Sequence, residues 1–234
     1  MGNLLKEILN WSEVWALFIP LTFMLIYKSK IAYLKPVRIY LWITLFINIF
    51  IDIISNLKGR LGIQPDDFLW NNNFLYNIGS VVRLFLFAWF FILLQQGLMH
   101  RVKRILPFIY LLFALINFIF FENFIPQGDN ESFSSRLLAL EAAILLFYCL
   151  QYFIYLMVED KTVKLGQQPG FWLITGLTVY VAVNFFIFLF YATLSDNSSV
   201  EQRNFAIQLW DIHNYAFILF CVFIAFQFTR KNDR

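Results

Sequence analysis

Charge is scarce in this chain. Only 14% of its 234 residues are Asp, Glu, Lys or Arg, against about 25% in ordinary soluble domains. Apolar residues take their place: 60% of the chain is hydrophobic, 21% is aromatic, and the mean hydropathy is +0.66. This composition excludes a soluble globular domain and describes a multi-pass membrane protein. Cysteine is scarce too. Cys149 and Cys221 sit in separate apolar segments with no CxxC spacing, which argues against a disulfide framework or a zinc cluster and leaves both reduced and buried. Two histidines are too few for a seven-span zinc hydrolase, which needs three as ligands. No lysine falls inside an expected span, so a retinal Schiff base has no attachment point. GxSG on a span, GxGxxG and Walker A sequences are all missing, which removes an intramembrane serine protease and nucleotide chemistry. No motif calls for a cofactor or a metal. The first residues lack both a myristoylation pattern and a basic leader with a small-residue cleavage site, so neither a lipid anchor nor a removable signal is expected.

What the chain has instead is a series of long apolar runs. At ~20 residues per span, the length suits one all-α, seven-transmembrane-helix bundle and leaves no room for a second domain. The expected spans are about 11–27, 39–56, 73–95, 105–121, 137–157, 171–194 and 205–228. Pro20 stands inside the first, where its missing N–H and its clash with the preceding turn predict a kink. Gly59, Gly62 and Pro65-Asp66-Asp67, then Pro126 to Asn130, then Ser195 to Ser199, mark turns between spans. Basic residues set the orientation. Twelve fall on one side of the spans, from Lys28, Lys30, Lys35 and Arg38 to Arg230, Lys231 and Arg234, and five on the other. The rule that cytosolic loops are rich in Lys and Arg then puts the N-terminus outside and the C-terminus in the cytosol. The small net charge of +3 therefore reports topology, and no nucleic-acid partner is expected. Sequons at Asn10, Asn130 and Asn197 all fall on the outer side, and they matter only in a secretory host.

Orientation gives each polar residue within a span a depth. Trp210, His213, Asn214 and Phe217 recur at i, i+3, i+4 and i+7, so they share one helix face. An imidazole and an amide in such surroundings must look into protein or a watery pocket, because lipid cannot solvate them. Asp211 leaves that face and is expected near the outer interface, beside Arg203 or Arg136. Thr44, Asn48, Asp52 and Ser55 form a stripe on span two. Asn73, Tyr76, Asn77, Ser80 and Arg83 form another on span three. Glu141 lies in the outer third of span five, and Tyr180 and Asn184 lie on span six. Five helices thus send polar groups into the same outward half of the bundle, while the cytosolic halves carry few beyond Gln95, Gln96 and Gln151.

The expected ligand-binding set is Asn48, Asp52, Tyr76, Asn77, Ser80, Arg83, Glu141, Tyr180, Asn184, Trp210, His213 and Asn214. Within it Arg83 is the expected anchor for an anionic group, and Asp52, Glu141 and His213 are expected proton-linked or cation-binding groups. The function these placements favour is a receptor-like module that binds a small molecule or lipid outside and passes a change to a cytosolic or membrane partner. Three other readings compete. The polar groups could be packing glue, with Arg83 paired to Glu141 or Asp52. They could line a transport path, although Pro20 and the Gly170 to Gly176 region do not form the matched pair of broken spans that a repeat-built transporter shows. Or Asp52, Glu141 and His213 could form a hydrolase site.

Three stretches carry a resemblance. Asn72-Asn73-Phe74-Leu75-Tyr76-Asn77, Phe171-Trp172 with Gly176 and Tyr180, and Trp210-x-Ile212-His213-Asn214 resemble an uncharacterised family of bacterial seven-helix membrane proteins. The resemblance implies a multi-pass protein of the bacterial cytoplasmic membrane, in a family with no assigned activity of which some members look like partners of membrane signalling systems. Members of that family often show an acidic residue in span three where this chain has Arg83.

Overall fold

Helix dominates because the apolar runs are rich in Leu, Phe, Ile and Ala, and because backbone polar groups in an apolar medium must be satisfied within their own segment. The computed structural model describes residues 2–28, 30–57, 60, 74–95, 99–122, 134–158, 164–195 and 200–230. Among them are eight α-helices: α1 (Gly2–Asn10), α2 (Ser12–Tyr27), α3 (Lys35–Leu57), α4 (Phe74–Leu93), α5 (His100–Phe120), α6 (Ser135–Val158), α7 (Phe171–Ser195) and α8 (Val200–Thr229). Short 3-10 turns at Ala32–Leu34 and Leu165–Gln167 precede α3 and α7. The turn residues Gly59, Gly62 and Pro65 to Asp67, Pro126 to Asn130, residues 196–199, the sequons at Asn130 and Asn197, Asn73 and Gln96 lie outside the described residues.

Among the described residues six helices, α3 to α8, are long and apolar enough to cross a membrane. This is the helix complement of a multi-pass membrane protein, whose apolar outer faces suit contact with lipid. The expected first span is different in kind. As α2 it has 16 residues, about 24 Å at 1.5 Å per residue, short of a hydrocarbon core of about 30 Å. It is extended backwards by α1, which has no apolar run to announce it. The helical ladder continues over the junction, with the Trp11 N–H on the Glu7 carbonyl at 3.2 Å and the Trp15 N–H on the Trp11 carbonyl at 3.1 Å. The Trp15 indole donates to the Ile8 carbonyl at 2.8 Å, which ties the two segments together.

Successive helices alternate in direction, so α2, α4, α6 and α8 all begin at one end, called proximal here, and run towards the distal end. Side-chain bonds tie the helices at both ends. The Asn48 amide reaches the Glu13 carbonyl at 2.8 Å proximally, and Tyr148 donates to the Lys103 carbonyl at 3.1 Å distally. Helices α7 and α8 approach closely. Gly176 makes that approach possible: a Cβ there would lie 2.4 Å from Cβ of Phe223, so the absent side chain lets two backbones close up. Before α7, Gly170 takes φ +77, and a side chain there would press on Phe90 at 3.2 Å. Both conditions favour glycine.

The distal half is closed by aromatic packing. Tyr180 stacks on Phe220 at 5.2 Å, and Phe220 meets Phe87 at 6.0 Å. Phe87 then meets Phe90 at 6.3 Å, Phe90 meets Phe91 at 5.2 Å, and Phe91 meets Tyr148 at 5.4 Å. All six rings are buried, and they form a continuous column from mid-bundle to the distal end. Two lysines expected in loops, Lys35 and Lys103, are taken into the first turns of α3 and α5. Lys103 is fully buried there, its ammonium group without a hydrogen-bond partner. Helix α5 packs on α4 and α6 alone among the helices and leaves Ile105, Phe108, Leu112, Leu115 and Ile119 exposed.

Candidate functional site

Polar side chains at the proximal end divide into groups that join helices and groups that line a cavity. The strongest joint is Arg83 of α4 with Glu141 of α6. Its Nε and Nη2 donate to the two carboxylate oxygens at 2.5 and 2.6 Å, a bidentate pairing that suits the planar guanidinium. Nη1 donates to the Tyr180 hydroxyl at 3.3 Å. The Glu141 side chain is 2% exposed and that of Arg83 16%, so each charge is met by the other in a medium that would penalise either alone. Arg83, the expected anion anchor, thus has its charge matched within the protein.

A second joint uses the other side of α4. The Ser80 hydroxyl donates to the Asn77 carbonyl at 2.7 Å and lies 2.9 Å from the Tyr110 hydroxyl. The Ser134 N–H donates to Oδ1 of Asn77 at 3.1 Å. The single stripe expected on this helix is therefore two. Tyr76, Gly79 and Arg83 face the cavity, while Asn77 and Ser80 face α5 and the start of α6. The Asn214 amide likewise turns away, donating to the Leu9 carbonyl of α1 at 3.3 Å. Asp52 is half-exposed and does not line the cavity. Asp211 is half-buried; of its two expected partners, Arg203 lies outside the described side chains and Arg136 is exposed.

Between six helices lies a partly open cavity of about 50 Å³. At roughly 10–15 Å³ per water on this measure, it has room for a few waters or a small polar ligand. Its wall takes Glu13 from α2, Thr44 and Asn48 from α3, Tyr76, Gly79 and Arg83 from α4, Leu138 from α6, Tyr180 and Phe188 from α7, and Trp210, His213 and Phe217 from α8. Helix α5 contributes nothing. Of the twelve expected residues, Asn48, Tyr76, Arg83, Tyr180, Trp210 and His213 line it. Glu141 and Asn184 stand behind, holding Arg83 and His213.

Glu13 is the residue that sequence reasoning missed. It sits in the first turn of α2, where the helix dipole favours a negative charge. Its Oε2 accepts from the Tyr76 hydroxyl at 3.2 Å. Its Oε1 is buried, accepts no hydrogen bond, and lies 3.5 Å from Nε2 of His213. His213 is held on its far side, Nδ1 to Oδ1 of Asn184 at 2.7 Å. Trp210 stacks on the imidazole at 5.0 Å, and Tyr180 lies against it at 5.6 Å. The available signal was an acid inside an apolar run, which by itself marks a functional candidate in a membrane span.

Two chemical readings can be weighed on this geometry. Asp52, Glu141 and His213 make no hydrogen bond or ion pair with one another among the described residues, so the hydrolase site built from them has no support. No group of three or more His, Cys, Asp or Glu that could hold a metal occurs among the described residues. Compared with protein-family models, curated proteins and solved structures, the chain matches none of them, so the reading rests on the site itself.

Proposed function

We propose that this chain is a receptor-like membrane protein that binds a small polar molecule in the proximal cavity and passes the change to a cytosolic or membrane partner. The observation that carries this reading is the cavity. Six helices converge on it, and its wall mixes a carboxylate, an imidazole, a paired guanidinium and five large aromatic rings. That is the composition of a binding site, mostly apolar with a few convergent polar groups. The basic residues Lys28, Lys30, Lys35, Arg38, Arg101, Arg104 and Arg230 lie at the distal end, which supports a cytosolic distal face and an outward cavity in a bacterial cytoplasmic membrane. The aromatic column below the cavity supports a cup and not a through-path, which sets transport behind binding.

The test uses Gly79. A Cβ built there meets nothing within 4 Å, so Gly79→Leu fills cavity space without a backbone clash and replaces glycine with a better helix former, worth about 1 kcal/mol. A library of small polar solutes is screened by thermal shift on the purified protein in lipid nanodiscs. A binder at a hundred times its Kd should add about 2.7 kcal/mol of stability, and Gly79→Leu should abolish the gain. Solutes that stabilise wild type and Gly79→Leu equally would sink the cavity as the site. Orientation is tested separately in intact cells with a membrane-impermeant maleimide, which should label Glu7→Cys and spare Arg230→Cys.

A further inference from the structure

The cavity's unmet chemistry names a ligand class. We infer that the proximal cavity takes a small primary ammonium, held between Oε1 of Glu13 and Nε2 of His213 and covered by the rings of Trp210, Tyr76 and Tyr180. This rests on reading the cavity as a ligand site. Three observations carry it.

The first is charge. Arg83 also lines the cavity, but Glu141 meets it in bidentate fashion. Among the described residues Glu13 has only the neutral Tyr76 hydroxyl as a hydrogen-bond donor; counting Glu141 behind the wall, two carboxylates then stand against one guanidinium when His213 is neutral. In a low-dielectric setting that excess favours a cation strongly over an anion.

The second is acceptor geometry. The oxygen of an asparagine side chain only accepts, so Nδ1 of His213 donates to Asn184. In the neutral ring Nε2 is then left as an acceptor. It faces Oε1 of Glu13, itself buried and without a donor. Their separation of 3.5 Å exceeds a normal N–H···O distance of about 2.7–3.2 Å, so a proton on Nε2 does not close the pair in this geometry. One nitrogen with two N–H groups can sit within hydrogen-bond reach of both atoms. A primary ammonium offers three such donors; a quaternary ammonium offers none.

The third is the aromatic wall. Trp210, Tyr76 and Tyr180 line the same space, and Trp210 and Tyr76 meet edge to face at 6.1 Å. Rings of this kind attract a cation through their quadrupole, Trp most of all. A carboxylate, an imidazole acceptor and an aromatic wall together recognise R–NH3⁺. The volume limits R to a short chain.

The experiment compares n-propylammonium, n-propanol and propionate, three probes of similar size and different charge. Each is titrated into the full chain in lipid nanodiscs, with thermal shift and calorimetric binding as readouts. Saturable binding is expected for propylammonium alone. It should weaken at least about tenfold in Glu13→Gln, since one member of a charged hydrogen-bonded pair is lost. Trp210→Leu, which keeps the carboxylate, should weaken it about threefold to tenfold through the lost ring. A stronger response to propanol or propionate, no response to propylammonium, or propylammonium binding that neither variant alters overturns the ammonium class and leaves the cavity as a site for another ligand. Propylammonium binding that persists unchanged in Gly79→Leu overturns the cavity reading itself.

Discussion

Glu141 and Glu13 belong to two regions of the proximal end that handle a buried carboxylate in opposite ways. In the inner region, between α4, α6 and α7, both oxygens of Glu141 are taken by Arg83, and Tyr180 adds a further hydroxyl to the guanidinium. In the rim region, between α2, α3 and α8, one oxygen of Glu13 is taken and the other is not. The inner region is complete as it stands; the rim is not. A saturated network gives a bundle its registry, because any shift breaks several bonds at once. An unsaturated one costs stability and retains the capacity to bind. The difference separates packing glue from a cavity wall within a few residues of each other on α4.

The comparison can be broken most decisively at Glu141. Glu141→Leu leaves the Arg83 charge buried and unpaired, and it should cost about 3–5 kcal/mol. Adding Arg83→Met should recover most of that loss, because a well-packed apolar pair often replaces a buried ion pair at no net cost. Reversible thermal unfolding of both variants in one detergent measures the difference; failure of the double variant to recover would mean that the pair does more than hold the helices. At the rim the sign should reverse. Glu13→Gln removes a charge that is only half met, so in the same unfolding assay stability should stay level or rise by up to about 1 kcal/mol, even as its propylammonium binding weakens. A large loss of stability there would place Glu13 with Glu141 as glue. The smallest effect belongs to the back face of α4. Ser80→Ala gives up one hydroxyl shared between the Asn77 carbonyl and Tyr110, and should cost about 0.5–1.5 kcal/mol with ligand binding unchanged.

The long apolar runs made six of the spans legible, because hydropathy over twenty residues is a strong signal. Their ends were not. Span four was expected from 105 but the helix starts at His100, since hydropathy counts Lys103 as solvent-seeking while packing can bury its aliphatic stem. The convergence of polar residues from five helices was legible from orientation and periodicity. Which of them share a face was less so. Tyr76 and Asn77 are neighbours in sequence and about 100° apart on a helix of 3.6 residues per turn, enough to send one to the cavity and the other to Ser134. The pairing of Arg83 with Glu141 stood among the options, but spacing within one helix cannot choose a partner on another. Glu13 was missed because it sits at the start of its span, where an acid reads as the edge of a loop. Only the seating of α2 against α8 brings it to His213.

That seating has a consequence for how the protein is made. Glu13 belongs to the second helix and His213 to the last, and Asn214 reaches a carbonyl 205 residues earlier in the chain. Arg83 and Glu141, by contrast, are both present once α6 has left the ribosome. During synthesis the inner clamp can therefore form on a partial bundle, while the rim must wait for α8 to insert and return to its first partners. A chain stalled or cut before α8 would keep the Arg83–Glu141 pair and lack the α8 wall of the cavity. Among the described helices, α8 is the one whose arrival completes the cavity wall.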